Sequence, residues 1–128
     1  MRDDQRDFVA PVTRYLALCA YDDGPWHPLL LLAGGRAVGF AMEAVDPDDG
    51  SYWIGGFLVD TSEQGRGVGR AALAAMLDRG RARGCATAAL SYQPANVVAR
   101  ALYASCGFVE TGETEGDEIV ARVAMSLA

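Results

Sequence analysis

Glycines at 65, 67 and 69 stand between a strand-like run ending at Val59-Asp60 and an amphipathic stretch that begins near Val68. A strand that passes through a glycine-rich loop straight into a helix leaves little freedom of design. Glycine lets the backbone approach a ligand closely, and the first helical turn points unpaired N–H groups and a positive dipole end at it. An anion fits there, and Arg66 and Arg70 add charge to the same loop. A pyrophosphate is its natural ligand. No Gly-Lys-Ser/Thr follows, so the loop is not a Walker A element. Gly67-Val-Gly69-Arg-Ala-Ala72 fits a relaxed dinucleotide fingerprint, but the next strand ends in Leu90-Ser-Tyr-Gln-Pro94 with no acidic residue for a ribose.

The rest of the chain reads as one α/β domain. Its 128 residues suffice for a single core. Apolar residues at three-to-four spacing predict a helix over 8–20. Leu29–Ala33 reads as a buried strand, Gly34-Gly35 as a hairpin turn, and Val38–Val45 and Tyr52–Asp60 as the next two strands of an antiparallel meander. A helix over Val68–Arg83 with Gly84 as its cap follows, then a strand over Ala86–Tyr92. Asn96 caps a second helix that ends at Gly107, and two strands near Phe108–Thr111 and Ile119–Leu127 close the chain. The pattern predicts a mixed sheet with flanking helices.

Charge narrows the partners. Eleven basic residues, all of them arginine, face seventeen acidic ones, for a net charge of −6. A surface of that sign does not neutralise phosphate backbones, so no nucleic-acid partner is expected. No apolar run approaches membrane-spanning length, and no signal-like segment follows Met1, so a cytoplasmic location without a membrane partner is expected. Cys19, Cys85 and Cys106 lie too far apart for a zinc or disulfide pattern, and no metal is expected.

A second constellation gives the glycine loop its meaning: Asn96-Val-Val-Ala-Arg-Ala-Leu-Tyr103-Ala-Ser-Cys-Gly-Phe108. Asn96 and Tyr103 are two helical turns apart and share a face. Taken with Gln64-Gly-Arg-Gly-Val-Gly69, the chain resembles the GCN5-related N-acetyltransferases (GNAT) from about Phe8 onward. Phe8-Val-Ala, Val38-Gly-Phe, Asp46 to Ile54 and Leu90 to Asn96 are similar to the bacterial spermine/spermidine enzymes of that family.

The resemblance implies a mostly antiparallel sheet with splayed central strands, and acetyl-CoA as cosubstrate. Phe57, Leu58 and Val59 would pair with the pantetheine arm. Gln64, Gly65, Arg66, Gly67, Val68, Gly69 and Arg70 would hold the pyrophosphate. Asn96 would face the cofactor arm, and Tyr103 would protonate the departing thiolate. Direct attack of a small primary amine, a polyamine first among them, is the implied reaction, with the carbonyl polarised near Val59. Cys106 has no histidine base, since His27 is the only one in the chain, and reads as core.

Glu43, Asp60 and Tyr92 stand as alternatives for the general base. The acidic groups Asp46/Asp48/Asp49 and Glu113/Glu115/Asp117/Glu118 read as solvated loops, or as attraction for a polycation. Tyr52, Trp53 and Trp26 read as core, or as an amine pocket. Other acceptors (an aminoglycoside, an amino acid, a protein amine) and a non-catalytic acyl-CoA-binding module stand beside the leading reading. The first strand and helix usual in the family find no counterpart before Phe8. An open edge at Leu29–Ala33 would then suit a homodimer contact.

Overall fold

The computed structural model describes residues 26–59 and 67–125. The expected helix over 8–20, and Asp60, Gln64, Gly65, Arg66 and Cys19, lie outside them. The described chain runs β1 His27–Ala33, β2 Arg36–Val45, β3 Tyr52–Val59, α1 Val68–Ala82, β4 Thr87–Tyr92, α2 Val97–Ser105, β5 Val109–Glu115 and β6 Glu118–Ala124. These elements match the sequence reading to within a few residues.

The strands form one sheet in the order β1-β2-β3-β4-β6-β5. All neighbours are antiparallel except β3 and β4, which the α1 crossover makes parallel. This is the mixed, mostly antiparallel sheet that the sequence predicts.

Strand alternation assigns the faces. Leu29, Leu31, Ala41, Tyr52, Ile54, Ala88, Leu90, Tyr92 and Ala121 share a core with Leu73, Met76 and Leu77 of α1 and Tyr103 of α2. Both described helices therefore pack on the same face. On the other face, Phe40, Met42, Ala44 and Ala89 are also buried.

The apolar run over 29–33 predicts a buried strand, whereas β1 is the outermost of the described strands on its side of the sheet, with Leu30 and Leu32 64% and 61% exposed. Only Leu29 and Leu31 turn to the helix-bearing face, so half of the apolar run packs. An apolar groove of about 360 Å³ between β1 and α1 takes no lining residue from β3, β4 or α2.

Helix ends behave as their sequences dictate. After α1, Cys85 N–H donates to Gly80 O and Gly84 N–H to Arg81 O, a Schellman closure around the expected cap. After α2, Phe108 N–H donates to Tyr103 O and Gly107 N–H to Ala104 O in the same pattern.

Candidate active site

The sheet opens in its middle. β3 pairs with β4 only over Tyr52–Ile54 against Ala88–Leu90. From Gly55 to Leu58, β3 has no register partner on β4, although it stays paired with β2. Two parallel strands that diverge within a twisted sheet leave backbone groups facing a gap, and an extended ligand can satisfy them as an added strand would.

A bulge tunes the near wall of that gap. Met42 pairs with Gly55 and Phe40 with Leu58, so β3 holds one more residue than β2 between those two pairs. Gly56 takes φ +57° there, a conformation that costs any L side chain strain. The extra residue reverses the alternation, so Phe57 and Val59 turn toward the helices while Leu58 stays buried opposite Phe40.

Tyr103 spans the gap from α2. Its ring lies 6.4 Å from that of Phe57 on β3 and 5.3 Å from that of Tyr92 on β4, with Phe108 at 6.2 Å behind it. Both Phe57 and Tyr92 lie beyond the last paired residues, Ile54 and Leu90. Tyr103 is 7% exposed, and its hydroxyl makes no hydrogen bond among the described residues. Burial pushes the phenol above its ordinary range, with the Glu118 charge adding to the effect. A buried donor without a protein partner is costly unless a ligand completes it.

Tyr92 is fixed from behind. Its hydroxyl donates to Glu110 Oε2 at 2.7 Å, and Arg100 clamps the same carboxylate through Nε at 2.7 Å and Nη2 at 2.8 Å. Burial and the Glu110 hydrogen bond push the Tyr92 phenol up to about 12. Tyr92, one of the three alternatives for the base, is therefore a phenol that keeps its proton.

Glu43 is engaged elsewhere. It is 1% exposed and receives hydrogen bonds from Tyr52 (2.7 Å), Arg79 (2.8 and 2.6 Å) and Arg83 (2.8 Å). The Arg79 hydrogen bond, with Tyr52 and Arg83, holds its carboxyl down to about 2 against the cost of burial. Arg79 and Arg83 belong to the last turn and cap of α1, the end remote from the gap, so Glu43 pins α1 to β2. It is not placed as a base.

At the other end of α1, Gly67 heads the helix at φ +77° with no side-chain cap and no acidic residue in the first turn. The N–H groups of Val68, Gly69 and Arg70 begin the helix there, the arrangement an anion needs. A Cβ on Gly69 would lie 3.1 Å from Leu102 Cδ2 and 4.0 Å from Val59 Cγ2, so this turn sits where β3 ends and α2 passes. Arg70, expected with Arg66 nearest the phosphates, donates to Ser105 Oγ at 2.8 Å and to Ser105 O at 3.3 Å.

Asn96 caps α2 with one end of its amide and leaves the other end unused among the described residues. Its Oδ1 accepts from Ala99 N–H at 3.3 Å, and its buried amide nitrogen makes no hydrogen bond among the described residues. The diverging strands, the uncapped turn, the Asn96 amide and the Tyr103 hydroxyl together fit a ligand with an extended amide arm, an anionic end and a group to protonate. That is the chemistry of acetyl-CoA.

The remaining candidates divide. Tyr52 lies under α1 on Glu43, and Arg122 sits 5.4 Å over the Trp53 ring. Trp26 alone of the three aromatics stands at the gap, its ring against Gly55. Arg122 also binds Glu113 and Asp49, one carboxylate from each of the two acidic groups. Cys106 packs against the core. The Gly56 bulge escaped the sequence reading, although paired glycines inside a strand pattern are its usual signal.

The acetyltransferase (GNAT) family matches residues 1–108. Among solved structures, the ribosomal-protein-S18-alanine N-acetyltransferase from Escherichia coli is 27% identical, with a TM-score of 0.69, covering 88% of this chain and 77% of that one. The GNAT domain of S. lividans PAT is 18% identical, with a TM-score of 0.76, covering 98% and 79%. A GNAT family acetyltransferase from Elizabethkingia anophelis with acetyl-CoA bound is 12% identical, with a TM-score of 0.74, covering 91% and 86%. No curated protein matches the sequence. Among the described residues no helix is long and apolar enough to cross a membrane.

Proposed function

The chain belongs to the acetyltransferase (GNAT) family, an acetyl-CoA-dependent N-acetyltransferase by that membership, and from this premise we propose that its acceptor is a small primary amine that attacks the thioester directly. The observation that carries the reading is the buried Tyr103 hydroxyl over the β3–β4 gap, a proton donor with no partner among the described residues. It would protonate the departing thiolate. Main-chain groups of Phe57, Leu58 and Val59 would pair with the pantetheine arm, and a β3 amide near Val59 would polarise the carbonyl. The first turn of α1, from Gly67 to Arg70, would bind the pyrophosphate together with Gln64, Gly65 and Arg66.

A polyamine is the first acceptor to try, on the strength of the sequence resemblance. A protein or peptide α-amine is the second, favoured by the 27% identity to an enzyme whose name specifies a ribosomal-protein alanine.

Calorimetric titration with acetyl-CoA, with NAD as control ligand, comes first. Near-stoichiometric binding to acetyl-CoA alone is expected, followed by turnover on a panel holding spermidine and an alanine-initiated peptide. A folded protein that binds no acetyl-CoA would overturn the reading. Turnover of the peptide but not of spermidine would move the acceptor to the second class.

A further inference from the structure

The reaction needs a group to take a proton from the arriving ammonium, and Glu43 and Tyr92 are both committed elsewhere. Strand alternation shows where such a group could stand. Along β4, Ala88, Leu90 and Tyr92 face the helices, so Ser91 points to the opposite face. Ser91 is also the first β4 residue past the last one paired with β3. Its hydroxyl donates to Glu118 Oε1 at 2.7 Å. Glu118 opens β6, one residue before Ile119, the partner of Tyr92.

The other carboxylates that a side chain engages among the described residues differ. Glu43, Asp49, Asp78, Glu110 and Glu113 are each ion-paired with arginine. Glu118 is half-buried with a neutral partner, and its charge is felt by the Tyr103 phenol. Gly55, on the same face as Ser91 by alternation, lies against the Trp26 ring, so that face carries an aromatic side chain on β3.

We propose that Glu118, presented by Ser91, takes the proton of the acceptor ammonium on the face of the gap opposite the Tyr103 hydroxyl. The inference rests on the acetyl-transfer reading above. In it the ammonium gives one proton to the Glu118 carboxylate, which later passes it to water. The freed amine forms the C–N bond at the thioester carbonyl, the C–S bond breaks, and the sulfur takes the Tyr103 proton. The second proton lost by nitrogen returns to the Tyr103 oxygen, so one proton is released per amide formed.

The test pairs ethylamine with 2,2,2-trifluoroethylamine at pH 8, as acceptors for the full chain and its Glu118→Gln variant. Alkyl ammonium ions titrate near the lysine range, so ethylamine arrives protonated, whereas the fluorinated amine arrives neutral. Glu118→Gln should lower kcat/KM on ethylamine by about a hundredfold, and on trifluoroethylamine by no more than about threefold. Acetyl-CoA affinity should be retained. Ser91→Ala should reproduce part of the loss and Ser91→Thr restore it. An equal fall on both amines, or none on either, would overturn the proposal while leaving the acetyl-transfer reading standing. Turnover of neither these amines nor spermidine by the unaltered chain, with acetyl-CoA bound, would overturn the small-amine reading and this proposal with it.

Discussion

The ring of Tyr103 rests 5.3 Å from that of Tyr92, inclined by 46°, and only Tyr92 of the two has a hydroxyl that is hydrogen-bonded among the described residues. One phenol is spent on Glu110 and the other is left available. Under the proposed function the contrast separates a supporting tyrosine from a proton-donating one, and the two make different predictions.

Tyr103→Phe removes a hydroxyl that contributes no described hydrogen bond, so the fold should be unharmed: thermal stability within about 1 kcal/mol of the parent. Turnover should fall by roughly a hundredfold, the scale of a lost general acid, with acetyl-CoA affinity nearly unchanged. Because burial raises this phenol, the pH–rate profile of the parent should show no alkaline limb from its ionisation below its ordinary range. Steady-state kinetics beside calorimetry decides it. Unchanged turnover would remove Tyr103 as the general acid and leave the thiolate to take its proton from another donor.

The architecture was open to sequence reading because its signals are local. Gly84 and Gly107 stop two helices, Asn96 starts one, and Gly34-Gly35 turns a hairpin. Tyr103 stands out in the sequence because it lies two helical turns from Asn96 on the same helix face. What sequence could not place are pairings made across the sheet. Glu43 looks like a candidate base until Arg79, 36 residues away, is seen to occupy it. Glu118 looks like one more acid in a solvated hairpin until Ser91 is found beneath it. The outer position of β1 among the described strands is likewise a matter of topology, since an apolar run carries no mark of which strands flank it.

Glu43 should make the fold acid-sensitive. Its folded pKa, about 2, lies below the unfolded carboxylate value of 4.5, so its contribution is full above that value. The contribution is lost as pH falls from about 4.5 toward 2. The shift corresponds to at most about 3 kcal/mol, reduced by solvent around the two half-exposed arginines. Glu43→Gln should lower stability at pH 7 by about 2 kcal/mol, more than at pH 3, while leaving acetyl-CoA affinity unchanged. Denaturant titrations at the two pH values measure the difference. Weakened acetyl-CoA binding would instead connect Glu43 to the site.

Tyr92→Phe tests the supporting tyrosine. It removes the hydrogen bond to Glu110 but keeps the ring that Tyr103 leans on. Arg100 still holds Glu110 by two bonds, so the loss should be modest, about 1 kcal/mol. Turnover should fall less than tenfold, far short of Tyr103→Phe. A loss equal to that of Tyr103→Phe would make Tyr92 a reacting group.

Gly56→Ala addresses the bulge itself. A Cβ at φ +57° costs about 1–2 kcal/mol wherever it sits, so some loss of stability is expected on backbone grounds alone. The functional consequence is separate and larger in reach. Relaxing Gly56 toward ordinary strand geometry would restore simple alternation and swing Phe57 away from Tyr103, while the β2 pairing at Phe40 and Leu58 slips. Acetyl-CoA binding should therefore weaken by more than tenfold at a temperature where the variant is still folded. Gly50→Ala supplies the control, since Gly50 also takes a positive φ, +75°, but lies in the β2–β3 turn away from the gap. Comparable loss of stability in both variants, with weakened binding only in Gly56→Ala, would tie the bulge to the cofactor site. Equal binding in the two would reduce the bulge to a feature of the fold.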